Sequence, residues 1–567
     1  MIYYLIRAIR HFKLFLVLAT FRKVDSLVMN YAQIVLNLPV DKVFDYAVPD
    51  HLREEAEIGK RVWVEFRNKK TVGYIVGLVK ESKLKKVKEI KKVIDSQPII
   101  TSSLLSLVKW LSEYYFCSWG EALAITLPPA LRRGVQKTRA TSLAPPRYRW
   151  VEEKENLDLK PEAPLGADKI IRAMKENQPR TFLVYGQSEE RIKIYLHIIE
   201  SILSQNKGVI ILVPEISLAS QIIARFISHF GEIIAEYHSQ LSSRQQFQEW
   251  QRIKKGDARI VIGTRSAVFS PLKNLGLIIV DEEQDNSYKE ENIPRYNARN
   301  VAIKRAKIEK AIVVLGSVIP CLESYHKTIS GRYQLLKLKT RGNNISPNIR
   351  IIDRNKERLS LSPFLKAKID ECLAKKKRVI IYEKLGRQRK VQGESFFQVG
   401  LIGVLSADSV LNSPNFLASE RTFELLFQIA REAQQAKAEL IIQTYNPAHF
   451  SITAAISEDY EDFYTQEITY RRQLKYPPFV HFINIILKDK DEQRLKKRIT
   501  ELSEDLRREF GKERILGPAN FLNSWYITLR TENVLKTNQS LRKVLAEFQR
   551  KRVDKRIIVD VDPLFFF

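Results

Sequence analysis

The chain has 567 residues, more than one hydrophobic core ordinarily serves, so three to five domains are expected. Lysine and arginine number 94 against 65 acidic residues, and the formal net charge of +29 favours a polyanionic partner, nucleic acid before an acidic membrane surface. Cys117, Cys321 and Cys372 stand far apart without a CxxC pair, which excludes a disulfide framework or a cysteine zinc site within the chain and makes a reducing cytoplasm the expected compartment.

Residues 1–28 carry one uncharged run, Leu14 to Phe21, too short to span a bilayer and without a small-residue cleavage site. They read as an extension or a misplaced start, with Met29 the alternative beginning. From Tyr31 the pattern AQIVLNLPVDKVFDYAVPD alternates as a strand does, and Gly59 to Leu78 continues it, so 29–98 reads as a small β domain. Lys80 to Lys92 holds seven lysines among thirteen residues, either a solvated face or a surface that tracks phosphates. Ser102 to Tyr115 and Trp119 to Leu131 have helical spacing, and a linker rich in Pro, Arg and Thr runs from Gly134 to about Pro164.

An α/β region follows. Phe182 to Tyr185 reads as a strand that empties through Gly186, Gln187 and Ser188 into a helix. Farther on, the apolar run Leu275 to Val280 ends in Asp281, Glu282 and Glu283, a buried strand finishing in carboxylates. In nucleotide-hydrolysing α/β domains one such carboxylate holds Mg²⁺ and another orients the attacking water. Arg378 to Tyr382 is a second strand signal, and Gln493 to Arg514 is a basic helical stretch.

Read together, Leu212-Val213-Pro214-Glu215-Ile216-Ser217-Leu218, His238-Ser239, Gly263 to Phe269, Asp281-Glu282-Glu283, Ser287-Tyr288-Lys289, Pro294 to Arg299 and Gly316-Ser317 resemble the core of the PriA replication-restart family (primosomal protein N′), superfamily 2 DNA helicases. The likeness continues through Tyr476-Pro477-Pro478-Phe479 to Val559-Asp560-Val561-Asp562-Pro563. It implies a multidomain α/β protein: a β-rich 3′-DNA-end-binding domain (29–98), a winged-helix domain plus linker (99–160), a first RecA-like helicase lobe (161–340), a truncated second lobe (341–455) and an α+β C-terminal domain (456–567). It also implies that Phe44, Asp45, Tyr46 and Lys88 capture the 3′ end of a nascent strand, the carboxylate accepting from the 3′-hydroxyl while rings stack on the terminal base, and that Arg265 contacts DNA. Arg67 stands where the family has a glycine beside that pocket.

The departures cluster on nucleotide chemistry. The family's P-loop is here Gly186-Gln187-Ser188-Glu189-Glu190-Arg191, with the glycine, lysine and hydroxyl core lost and two acids added. Arg191 alone could take the lysine's place; Gly186 and Ser188 are the other remnants. Ile319 replaces the threonine of the family's Gly-Ser-Ala-Thr-Pro segment, Glu432 and Gln435 stand where its arginines approach the γ-phosphate, and only Glu383 to Val391 occupies the place of its cysteine-rich zinc module. Asp281 and Glu282 persist as a residual catalytic pair.

The reading favoured by this asymmetry is a protein that recognises branched or forked DNA with a 3′ end and nucleates primosome assembly, without unwinding, without a cofactor and without zinc. Its implied partners are helicase-loading proteins and single-strand DNA-binding protein, with no membrane. The alternative is a divergent active ATP-dependent 3′-to-5′ helicase using Mg-ATP, and a decaying protein is a third.

Overall fold

A computed structural model describes residues 30–84, 86–132, 164, 166–176, 178–215, 220–338, 348–356, 360–385, 387–391, 398–489, 491–521, 524–550 and 557–566. Residues 1–28, nearly all of the linker and Gly393 to Phe396 lie outside these described residues. The chain falls into two compact units, a smaller one from Met1–Lys109, Cys117–Arg147 and Leu241–Gln248, and a larger one from the rest.

The smaller unit is built on five antiparallel strands, β1 (Tyr31–Leu36), β2 (Phe44–Ala47), β3 (Arg61–Phe66), β4 (Lys69–Val79) and β5 (Lys92–Val93), in the order β2-β1-β4-β3-β5. Alternation does what the sequence promises, sending Ala32, Ile34 and Leu36 of β1 into a core with Val62, Val64 and Ile75. The β3–β4 turn is Arg67-Asn68 with φ of 49° and 61°, the left-handed pair that a two-residue hairpin requires. That geometry gives the arginine-for-glycine departure at position 67 a physical cost, since glycine adopts it freely and arginine does not.

Helices Ser102–Tyr114, Trp119–Ile125 and Pro129–Arg132 follow. Ser118 and Glu121 close a reciprocal cap on the second, with Glu121 N donating to Ser118 Oγ at 3.1 Å and Ser118 N to Glu121 Oε2 at 3.0 Å. Ser118 Oγ also donates to Leu38 O at 2.6 Å, pinning this helix to the end of β1. Arg61, 1 % exposed, makes a two-point ion pair with Asp95 (2.6 and 3.0 Å) and donates to Leu131 O. Among the described residues, no helix is long and apolar enough to cross a membrane.

The larger unit carries three sheets. The first is parallel throughout: β6 (Thr181–Tyr185), β7 (Gly208–Leu212), β8 (Ile234–Tyr237), β9 (Ile260–Gly263), β10 (Leu275–Asp281), β11 (Ile312–Ser317) and β12 (Gln334–Lys337), in the order β12-β6-β11-β10-β7-β9-β8. Every residue of β10 is buried, as an unbroken apolar run at mid-sheet should be. The second sheet holds β13 (Ile349–Asp353), β14 (Arg378–Lys384), β15 (Arg387–Val391), β16 (Val399–Val404) and β17 (Glu439–Thr444), in the order β13-β17-β16-β14-β15. All its pairings are parallel except β14–β15, so Glu383 to Val391 folds back as a hairpin on the sheet edge.

The third sheet is antiparallel: β18 (His481–Leu487), β19 (Ile515–Phe521), β20 (Ser524–Thr531) and β21 (Ile557–Val561), in the order β19-β20-β18-β21, with helices Glu492–Phe510 and Val534–Arg550. The expected multidomain α/β class, with a β-rich part, two parallel-sheet lobes and an α+β C-terminal part, is what the chain adopts.

Gly120 meets β1 so closely that a Cβ there would lie 1.7 Å from Leu36 O. Gly120→Ala is expected to destabilise the smaller unit by about 2 kcal/mol or more, read from urea denaturation of the full chain. An unchanged midpoint would mean that the helix does not seat against β1 in solution.

Candidate functional site

The carboxyl ends of β6, β11 and β10 are adjacent in the first sheet, and that is where an open parallel sheet gathers its chemistry. β6 delivers Tyr185, Gly186 and Gln187, after which the helix Ser188–Ser204 begins at once. With no further loop residues, no ring of backbone amides surrounds a phosphate-sized space. Glu189 and Glu190 lie in the first helical turn, where acids complement the helix dipole and repel an added anion.

Arg191 points into the sheet end and is 0 % exposed. Its Nη1 donates to Gly186 O at 2.7 Å and its Nε to Asp281 Oδ1 at 3.1 Å, while Nη2 pairs with Asp281 Oδ1 at 3.0 Å and with Glu282 Oε1. Four residues farther along the same helix, Tyr195 donates its hydroxyl to Asp281 Oδ1 at 2.8 Å. Burial disfavours the guanidinium charge, but Asp281, Tyr195 and Glu282 outweigh it and hold the Arg191 pKa above its ordinary value. Burial pushes the Asp281 carboxyl up; Arg191 and the Tyr195 hydroxyl oppose that, and with a permanent cation 3.0 Å away the carboxylate form is the one that fits. The result is a closed ion cluster with no polar atom of Arg191 left over for a ligand.

Glu282 has φ 46°, a left-handed conformation that costs a non-glycine residue about 1–3 kcal/mol and turns its side chain back towards Arg191. Gln284 donates to Glu282 Oε2 at 2.9 Å and accepts from Ser317 Oγ at 2.6 Å, so the acidic segment stays coupled to the segment after β11. Glu283, 1 % exposed, accepts from Cys321 N (2.8 Å), Ser324 Oγ (2.8 Å) and Arg299 Nη1 (2.8 Å). Ile319 is buried in the same segment. The Tyr288 hydroxyl lies 2.6 Å from Asp281 O and 3.0 Å from Leu212 O, which makes that tyrosine a brace for the sheet end.

Helix Ala418–Ala436 of the second lobe meets this edge together with helix Tyr460–Leu474, which the sequence reading assigned to the C-terminal domain and which packs on the second lobe through Phe463 against Phe423. Glu432 turns back onto its own sheet, accepting from Tyr382 at 2.7 Å. Arg431 instead lines a cavity of ≈ 400 Å³ together with Gly186, Gln187, Leu338, Tyr185 and Tyr460. Leu338 N donates to Tyr185 O, and a Cβ on Gly186 would lie 2.7 Å from Leu338 Cβ, so this strap presses on the remnant loop. Arg471, 1 % exposed, joins Glu420 (2.7 Å), Glu467 (2.8 Å) and Glu323 (3.6 Å), and Glu420 accepts from Leu322 N at 2.9 Å.

The residues implied in DNA-end capture lie in the smaller unit. Asp45 Oδ2 accepts from Ser82 Oγ at 2.7 Å, and half-buried Phe44 meets Phe66 edge-on at 5.2 Å. Tyr46 is 4 % exposed, a core residue whose hydroxyl donates to Glu65 O at 3.0 Å. Burial and then the Glu65 charge push its pKa up. Lys88 pairs with Glu65 at 2.6 Å on an open surface. Arg265 donates to Ser287 O (2.9 Å) and pairs with Glu290 (2.9 Å), bracing the 287–290 loop. Ser188 simply opens its helix, half-buried. Among the described residues no His, Cys, Asp and Glu group is disposed to hold a metal.

Sequence reasoning missed Tyr195, Leu338 and the Gln284–Ser317 link. Tyr195 had a signal, since a polar residue four after Arg191 on an otherwise apolar helix face shares its direction.

Replacing Arg191 by Met is expected to cost about 3–5 kcal/mol in chemical denaturation, because it strands Asp281 and Glu282. Adding Asp281→Asn should recover part of that loss. A near-neutral Arg191→Met would mean a cation waiting in an open site.

Three family models match: the 3′ DNA-binding domain of PriA over residues 33–128, the DEAD/DEAH box helicase over 193–316 and the primosomal protein N C-terminal domain over 472–564. The chain is 25 % identical to the replication restart protein PriA of Bacillus subtilis (strain 168), covering 94 % of this chain and 99 % of that one. It is 27 % identical to the Chlamydia pneumoniae PriA, over 95 % and 98 %, and 28 % identical to the Rickettsia conorii PriA, over 88 % and 92 %. The Bacillus alignment runs over 798 positions, more than the 567 residues here, so parts of that relative have no counterpart in this chain. A PriA-type 3′ DNA-binding module, a helicase core and a primosomal C-terminal module in one chain, in the order in which near full-length relatives align, place it in the PriA family of replication restart proteins.

Proposed function

We propose that the protein recognises branched or forked DNA bearing a 3′ end and nucleates primosome assembly there, without ATP-driven unwinding. The observation that carries the second half is Arg191. A Mg-triphosphate needs free carboxylate oxygen at the end of β10, backbone amides around the phosphates and a cation that faces them. Here Asp281 Oδ1 already takes the Arg191 guanidinium and the Tyr195 hydroxyl, and Glu189 and Glu190 stand at the helix entry. The residues present do not fit the group. The arrangement after β11 and on the second lobe agrees, with Ile319 in place of a hydroxyl and Glu432 turned away.

Membership of the PriA family and the matched 3′ DNA-binding module support the first half. Asp45 is the residue proposed to accept the 3′-hydroxyl, and the Ser82 hydroxyl at 2.7 Å marks where such a donor sits. Phe44 offers the ring and Lys88 a phosphate contact, and buried Tyr46 acts by positioning; Arg265, in the larger unit, is proposed as a DNA contact of its own. The proposed partners are helicase-loading proteins and single-strand DNA-binding protein, in the cytoplasm, with no zinc bound by the short β14–β15 hairpin. The active-helicase alternative requires Arg191 to leave its buried partners.

Asp45→Ala is expected to weaken binding to a fork ending in a 3′-hydroxyl about tenfold or more while barely changing binding to a 3′-phosphate fork, by fluorescence anisotropy. Equal losses on both would refute the pocket, and no preference for forks over plain duplex would favour a decayed protein. Affinity for either DNA should fall steeply with salt as counterions are released.

A further inference from the structure

We infer that Asp562, held between His481 and the Tyr114 hydroxyl, is a proton-operated latch that sets how firmly the segment Trp110–Phe116 docks on the larger unit. This segment, WLSEYYF, is the end of helix Ser102–Tyr114 and the two residues after it. It belongs to the larger unit although the chain on either side, up to Lys109 and from Cys117, belongs to the smaller one. A helix end leaves its last carbonyls without partners inside the helix. Here the helix Val534–Arg550 supplies them: Asn538 Nδ2 donates to Glu113 O at 2.9 Å and Tyr114 O at 2.7 Å, and Arg542 donates to Ser112 O at 2.9 Å. The Tyr115 ring, 2 % exposed, has Lys289 Nζ 5.6 Å from its centre, and the Arg542 guanidinium lies 4.6 Å from the centre of the Phe116 ring.

The contact through Asp562 is of another kind, because a histidine changes charge near neutrality. Antiparallel pairing brings the start of β18 beside the end of β21, and Asp562 N donates to Phe482 O at 2.9 Å. Asp562 has φ 50°, a left-handed backbone that a non-glycine residue keeps only where its surroundings fix it. One of its carboxylate oxygens lies 2.7 Å from His481 Nδ1, and the other accepts from the Tyr114 hydroxyl at 2.8 Å. Tyr114 stays a neutral donor, since burial and then the Asp562 charge push its pKa far up. Burial disfavours the charged imidazole, yet the Asp562 charge and hydrogen bond outweigh it and hold the His481 pKa above its ordinary 6.5. Lys327 and Glu323, on the helix Leu322–Ile329, act on it in opposite senses. Arg299, Arg332, Glu420, Arg421 and Glu424 line the same cavity of ≈ 200 Å³. Burial pushes the Asp562 carboxyl up, but His481, Lys289 and the Tyr114 hydroxyl hold it below its ordinary 3.8.

A raised histidine pKa contributes stability that is complete below 6.5 and is lost as pH rises through the folded value. The depressed Asp562 pKa contributes in full above 3.8 and is lost only on further acidification. The latch is therefore closed in mildly acidic solution and loosens as pH rises above 6.5 and through the His481 value. The His481 side chain is 44 % exposed, so its proton leaves without any unfolding. Asp562 then keeps a charge that burial disfavours, and undocking of the segment lets water solvate it.

The test is hydrogen–deuterium exchange of the full chain at about pH 6 and about pH 8, read on the peptide covering Trp110–Phe116 and corrected for the intrinsic pH dependence of amide exchange. In the parent this peptide should exchange about threefold to tenfold faster at the higher pH after correction. His481→Gln should exchange at the faster rate at both pH values. Tyr114→Phe, which removes only the hydroxyl, should also lose the pH response. Histidine NMR of the parent, with the His481 signal assigned by its loss in His481→Gln, should show that residue titrating above 6.5, and Asp562→Asn should bring it down towards 6.5. A pH response that survives in His481→Gln, a segment equally protected at both pH values in the parent, or a His481 that titrates at or below 6.5 would overturn the latch.

Discussion

One buried guanidinium organises the centre of this molecule. Arg191 gathers the strand end of β10, the loop after β6 and the first turns of the following helix by pairing with Asp281, Glu282 and Gly186 O. Two carboxylates at the end of a fully buried strand would be untenable without a counter-charge. In a nucleotide-hydrolysing domain the metal ion and a lysine share that role; here the Arg191 guanidinium supplies it. The cluster is therefore complete without a ligand, and the strain at Glu282, φ 46°, is held by it.

Around this centre the two lobes are joined by contacts of the same kind. Arg471 collects Glu420, Glu467 and Glu323, and the Tyr460 hydroxyl donates to Pro320 O at 2.8 Å. Tyr185 and Tyr325 meet Tyr460 edge-on. Buried, multiply bonded groups of this sort resist separation far more than an exposed pair such as Lys337–Glu461, which solvent screens. A motor would need the cleft to open and close with each nucleotide, whereas a scaffold benefits from lobes that stay together.

Much of this was legible beforehand, and the failures have a common cause. The run Leu275 to Val280 ending in acid announces β10 by itself, because a strand buried on both faces needs no alternation. Arg191 could be placed at the loop by counting from the strand, but its partners come from residues 90 and 91 positions away, and sequence gives no such pairing. Tyr46 shows the same limit. Its register opposite Ala32 of β1 decides that it faces the core, and a four-residue strand alone does not reveal which side is inward. The hairpin Glu383 to Val391 escaped notice because so charged a segment has little strand signature of its own; pairing with β14 imposes it.

The claim on which the rest depends is that Asp281 and Glu282 are already neutralised from within. Calorimetric titration of the full chain with Mg-ATP, alone and with forked DNA present, addresses it most directly. No saturable heat is expected in either case. A saturable isotherm that disappears in Asp281→Ala would contradict it.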